Sequence, residues 1–114
     1  MKNYFNGFAT ECITVPCKST LKQGDPVSLN NSGTAYTGYD GTEFMGVCVG
    51  VRDGYASVAL KGYAELKYEG ESPIIGFDKL VCGADGTVKI DNNVGRSIMV
   101  VSVDTVVKLM GGIL

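Results

Sequence analysis

Histidine is absent from this chain, and its absence removes a whole branch of enzymology. Imidazole is the usual proton carrier near neutral pH, so no Ser-His or Cys-His nucleophile pair can be built from these residues. The four cysteines are also left without their commonest partner in zinc sites. Cys12 and Cys17 lie near one another in sequence, but one pair does not make a metal centre. No two basic residues are adjacent, and ten Lys and Arg stand against twelve Asp and Glu, for a net charge of −2. That balance argues against a nucleic-acid binder, which needs a basic excess or cluster. No apolar stretch approaches the roughly 18 residues of a membrane helix. Met1 to Phe8 is polar and aromatic, without the charged cap and apolar run of a secretory leader. The expectation is a protein made in the cytosol, kept there or released by lysis, with no membrane partner. Disulfides from the even cysteine count would require secretion.

What the sequence does contain is short strands and turns. With 114 residues, 45% apolar and 19% charged, the chain has material for one domain with a modest core. Helical periodicity is nearly missing, while alternation of period two recurs between turn dipeptides. Phe8 to Val15 forms a first apolar run closed by Pro16. Gly24-Asp25-Pro26 turns the chain into Val27 to Leu29, and Thr34 to Thr37 makes another short strand. Met45 to Arg52 and Tyr55 to Leu60 flank Asp53-Gly54, the dipeptide suited to a type I′ hairpin. Val47, Val49 and Val51 fall on one face of that strand, and Gly46, Cys48 and Gly50 on the other, small face. From Val58 to Glu69 the alternation is unbroken, which predicts a single half-buried strand bent at Gly62. Phe77 to Cys82, Thr87 to Ile90, Arg96 to Val103 and Val106 to Met110 complete the set. Ile98 to Val101 is apolar on both faces, the mark of a central or doubly covered strand. The predicted fold is all-β, a small antiparallel barrel or sandwich with short hairpins and an extended N-terminal arm. Residues 1–18 are read as that arm with the first strand, and 19–114 as the compact domain.

The remaining chemistry is sparse. Cys17 beside Lys18 is the best local candidate for an activated thiol, though an ordinary strand-end cysteine explains it as well. Cys48 and Cys82 sit in apolar strand patterns and read as small buried hydrophobes. Glu65 and Glu69 share a strand face, but four residues span roughly 13 Å, too far for paired-carboxylate glycosidase chemistry. Alternating charge on that face is better explained as a solvated surface that discourages strand addition. Asp40 to Glu43 and Asp91 to Asn93 lack the acidic ladder of a calcium loop, and no phosphate loop is present. The reading is of a non-enzyme with no cofactor, no metal and no catalytic residue.

Aromatic residues carry the remaining information. Tyr4, Phe5 and Phe8 crowd the N-terminal segment. Such residues either fold back on their own domain or dock on a neighbouring chain by strand addition. The apolar segment Val106 to Leu114 poses the same choice between core and subunit contact. Tyr4, Phe5 and Phe8, with Tyr63, Tyr68, Glu71 and Pro73, are the candidate contact residues.

The order of several segments resembles a known family. Gly24-Asp-Pro-Val-Ser-Leu29 is followed by Met45-Gly-Val47, Gly50-Val-Arg-Asp-Gly-Tyr-Ala56 and Val58-Ala-Leu-Lys-Gly-Tyr-Ala-Glu-Leu66. Pro73, Gly76-Phe-Asp-Lys-Leu80, Ala84-Asp-Gly-Thr-Val-Lys89, Gly95-Arg96 and Val100-Val-Ser-Val-Asp104 continue the pattern. Across residues 20–110 this is similar to the small capsid decoration, or cement, proteins of tailed bacteriophages. The resemblance implies a structural protein of the virion, on the outer surface of the phage head. It would be made in the host bacterial cytoplasm, bind the major capsid protein as a homotrimer and stabilise the shell. Linking weak contacts in a symmetric oligomer would supply the strength. A head-fibre, tail-tube or baseplate component is the alternative.

Overall fold

Two Asp-Gly dipeptides set reversals in the chain. Asp53 and Gly54 have φ of 52° and 81°, and Asp85 and Gly86 have φ of 54° and 76°. Paired positive values are what a type I′ turn demands, and glycine adopts them without steric cost. The computed structural model describes residues 11–114, so Tyr4, Phe5, Phe8 and the start of the first apolar run lie outside the described residues.

The described chain is all-β, with ten strands and no helix. In order these are β1 (Cys12–Pro16), β2 (Pro26–Leu29), β3 (Ala35–Thr37), β4 (Gly46–Arg52) and β5 (Tyr55–Ala59), then β6 (Tyr63–Lys67), β7 (Gly76–Cys82), β8 (Val88–Ile90), β9 (Arg96–Asp104) and β10 (Leu109–Ile113). They form two antiparallel five-stranded sheets packed together as a small sandwich, ordered β1-β5-β4-β2-β3 and β6-β10-β9-β7-β8.

The two orders are one path traced twice. Replacing β1 to β5 by β6 to β10 in turn converts the first sheet into the second. The likeness extends to irregularities. β4 bulges between Cys48 and Gly50 against β5, and the β9–β10 ladder shifts at Gly111/Gly112, leaving Val101 extra as Val49 is extra in β4. An isolated parallel bridge joins Cys17 to Ala35 in the first sheet and Tyr68 to Val88 in the second, so the two edges of each sheet meet at one point. Hydrogen bonds outside the ladders recur as well. Leu60 N donates to Glu11 O as Leu114 N donates to Gly62 O, and Lys18 N to Ala35 O as Glu69 N to Val88 O. Asn30 N donates to Thr34 O as Gly83 N does to Thr87 O. The chain is thus two units of one design, β1–β5 and β6–β10.

Each unit has its own core. Leu21, Val27, Ala35, Cys48, Ala56 and Val58 fill the first. Leu66, Tyr68, Leu80, Cys82, Val88, Ile98, Val100 and Met110 fill the second, and Phe44 and Val47 reach into it from the first unit. Fully burying one such large aliphatic side chain is worth about 1.5–3 kcal/mol. Two further ties cross between units. Arg96 lies over the Phe44 ring, its guanidinium donating to Met45 O and, at 2.6 Å, to Leu60 O. The β3–β4 loop lies along Cys82, with Gly41 N donating to Cys82 O and Cys82 N to Thr42 O.

Two sequence expectations need correction. Val58 to Glu69 is not one bent strand. β5 ends at Ala59, Gly62 has φ 116°, and β6 starts at Tyr63 in the other sheet. Val58, Leu66 and Tyr68 nevertheless all point inward, because the connection preserves parity while changing sheets. Nor do Val47, Val49 and Val51 share one environment. The bulge separates them, leaving Val47 buried while Val49 and Val51 are exposed. The small-face expectation holds at Gly46, where a Cβ would strike Ala59 O, and fails at Gly50, which faces open space.

Candidate functional site

The chemistry of the thiols is settled by their surroundings. Cys17 is half-buried against the first core, with its backbone N donating to Gly54 O at 3.0 Å. Cys82 lies between the units. Its Sγ is 3.7 Å from Ser28 Oγ and donates to Glu43 O at 3.7 Å, while Ser28 Oγ donates to Glu43 O at 2.7 Å and lies 2.9 Å from Thr42 Oγ1. Burial pushes the Cys82 and Cys48 thiols up from their ordinary value, which favours thiol over thiolate. A thiol hydrogen-bonded to hydroxyls and a carbonyl, with no base among these partners, is a packing group. No group of three or more metal-ligating side chains occurs among the described residues.

These surroundings predict a reactivity order. Cys12, which is exposed, should react with a thiol reagent at once, and Cys48 and Cys82 only on unfolding. The unfolded chain releases these two protons near pH 9.0, while the folded form holds them to higher pH. Stability should therefore fall as pH rises past that value. Denaturation midpoints at pH 7 and pH 10 check the sign, and a Cys48→Ala/Cys82→Ala variant should flatten the difference.

What distinguishes the surface is one apolar face of the second unit. Strand register sets Tyr63 beside Ile113, Ile113 beside Met99, and Met99 beside Phe77. Phe77 is 75% exposed and Met99 38%, and the chain leading into β7 adds Ile74 at 69% and Ile75 at 62%. In the first unit the positions matching Ile113 and Met99 are Ala59 and Val47, and both are buried. Equivalent places in the two units thus have opposite fates, with one face covered and the other left open by the described residues. Contiguous apolar surface of this kind marks interaction sites.

The residues expected from sequence are not gathered here as a set. Tyr63 is half-buried at the edge of the row, its hydroxyl donating to Glu65 Oε2 at 3.3 Å. Glu71 is exposed in the loop before β7. Tyr68 is 4% exposed and belongs to the second core, so it has no surface to offer a partner. Pro73 is buried too. Aromatic content and loop position suggested both, but inward parity decides for Tyr68, and Pro73 is buried within its loop. Sequence reasoning passed over Phe77, Ile74 and Ile75. The signal was present in an Ile-Ile pair immediately after Pro73, followed by a strand facing the doubly apolar Ile98–Val101. No family model matches this chain, and no curated protein matches it.

Proposed function

We propose that this is a structural protein that binds the outer surface of a phage capsid through the open face of its second unit and stabilises the shell. The observation that carries the reading is the row Ile113–Met99–Phe77 with Ile74 and Ile75 beside it, apolar and uncovered by the described chain. Large apolar and aromatic anchors surrounded by polar groups are the usual centre of a protein interface. Lys79, on the same face of β7 as Phe77, and Asp78, whose Oδ2 accepts from Ile74 N, contribute polar groups beside it. The ordered resemblance of residues 20–110 to head-decoration proteins names the partner class, the major capsid protein. A homotrimer on the capsid would multiply a modest contact into firm attachment.

Co-sedimentation with expanded heads of the cognate phage tests the reading. The wild-type chain should pellet with heads and raise the temperature at which they release DNA. Phe77→Asp should weaken binding at least about tenfold, the scale of a single interface anchor, while leaving the melting temperature unchanged, since the ring is mostly solvent-exposed. Failure of the wild-type chain to bind heads would end the capsid reading. Binding that survives Phe77→Asp and Ile75→Asp would move the contact elsewhere.

A further inference from the structure

One row on the outer face is filled in the second unit and empty in the first. On the first unit, Gly50 of β4, Ser57 of β5 and Thr14 of β1 stand side by side across the sheet. The register makes Ser102, Gly111 and Glu65 their counterparts on the second unit. Both rows hold a glycine and a serine as a cross-strand pair, with the two residues exchanged between strands.

A phenol occupies the row of the second unit. The Tyr63 hydroxyl lies over Gly111, where an added Cβ would overlap it and stand 3.1 Å from Tyr63 Cζ. That hydroxyl donates to Glu65 Oε2 at 3.3 Å and accepts from the Ser102 hydroxyl. In the first unit Cys12 holds the place of Tyr63 and has no ring to lay down. Among the described residues, nothing lies within 4 Å of a Cβ added at Gly50. An open groove of about 500 Å³ remains, lined by Thr14, Gly50, Arg52, Tyr55 and Ser57, with Asp53 of the turn at its end. Gly50 does not adopt a positive φ, so the backbone does not call for glycine there. A strand glycine of this kind marks the close approach of another group. The bulge at Val49 adjoins it, and bulges are common beside functional sites.

We propose that this groove binds a tyrosine side chain of a partner polypeptide, with a carboxylate of the same segment on Arg52. The ring lies over Gly50 and beside Tyr55, a diagonal neighbour on the same face and 54% exposed. Its hydroxyl meets those of Ser57 and Thr14, as the Tyr63 hydroxyl meets Ser102 and Glu65. Arg52 follows Gly50 by two residues on β4 and so projects from the same face. Neither ion pair found among the described residues includes it. Its counterpart in the second unit is Asp104, so the cation belongs to the empty row alone. A guanidinium in that position can take a carboxylate in two parallel hydrogen bonds. The groove lies on the other unit from the apolar face proposed for the capsid, and either can fail without the other.

A titration of the full chain with N-acetyl-tyrosine, followed through backbone amide chemical shifts, tests the site. Thr14, Gly50 and Ser57 should shift saturably, with a Kd on the order of 1 mM, the scale for a small ligand on a shallow surface. Glu65, Ser102 and Gly111 should stay in place, because Tyr63 already holds their row. N-acetyl-tyrosinamide, which lacks the carboxylate, should bind about two- to fivefold more weakly, the worth of one exposed ion pair. Arg52→Gln should erase that preference. N-acetyl-phenylalanine should bind about two- to tenfold more weakly than N-acetyl-tyrosine for want of the hydroxyl. Gly50→Val fills the groove at an ordinary strand φ and should abolish the shifts at Thr14 and Ser57 with the melting temperature unchanged. No saturable shift in the wild type overturns the proposal, as do equal shifts in the two rows or binding that survives Gly50→Val. A carboxylate preference indifferent to Arg52→Gln overturns it as well, whatever the fate of the valine variant.

Discussion

Arg96→Met is expected to lower the unfolding free energy by about 3 kcal/mol, the largest loss from any single substitution proposed for this chain. The guanidinium donates to Met45 O at the entry to β4 and to Leu60 O at the exit from β5, while its Cζ lies 5.8 Å from the Phe44 ring centroid. Methionine keeps much of the stem and its packing but strands two carbonyls. A buried acceptor deprived of a charged donor costs roughly 1–3 kcal/mol. Burial lowers the Arg96 pKa, the direction for a cation removed from water. Neither ion pair found among the described residues includes it, so the carbonyl dipoles and the ring are what hold the charge. Arg96→Lys should recover only part of the loss, because an ammonium cannot span both carbonyls as a planar fork does. Thermal denaturation should register the methionine variant as a drop of roughly 10–20 °C. A change of only a few degrees would mean that the two units are held by other contacts.

Gly38→Ala should cost about 2–3 kcal/mol, the scale of an overpacked core. A Cβ at Gly38 would overlap Cys82 Sγ, stand 2.5 Å from Cys82 Cβ and 3.0 Å from Thr42 Oγ1. Neither side can retreat easily. Gly38 N is bonded to Pro26 O at 3.0 Å, and Cys82 is bonded to the β3–β4 loop through both its N and its O. Trimming the sulfur should relieve part of the clash, so Gly38→Ala with Cys82→Ala should lose less than the sum of the two single losses, by about 1 kcal/mol. Urea denaturation of the four proteins in the cycle measures that coupling. Strict additivity would show that the glycine is not required by the thiol.

The hairpins were legible in the sequence because turn chemistry is local. Asp53-Gly54 needs no distant partner to demand positive φ, and the strands on either side follow from it. β9 was legible as a central strand from its four successive apolar residues, although the covering expected on both faces is found only for Ile98 and Val100, while Met99 and Val101 face outward. The duplication was not legible. It resides in register and backbone hydrogen bonds, which constrain side-chain identity weakly. Cys17 and Tyr68 occupy the same bridging position, and Ala56 and Met110 the same core position, with no likeness of residue. Period-two alternation was also blind to the change of sheet at Gly62, because a connection that preserves inward parity leaves the pattern intact. At the candidate site, the choice of Tyr68 shows the limit of composition. An aromatic ring serves a core as well as an interface, and alternation with Leu66 already placed it inside. Phe77 went unnoticed because exposure depends on which neighbour covers a face. Only the comparison with Val47 and Ala59 reveals that the described residues leave its face open.

The hydrogen bonds from Leu60 N to Glu11 O and from Leu114 N to Gly62 O have a mechanical side. They bring Glu11, Leu114 and the short connection between the units to one corner of the molecule. Tension applied between Glu11 and Leu114 therefore does not load the two strands alike. It reaches β1 as a peeling force on a strand gripped along its length by β5 and by β3 only at the Cys17–Ala35 bridge, whereas β10 is clasped between β6 and β9 along its whole length. β1 is the fuse of the fold, the first element to yield under strain.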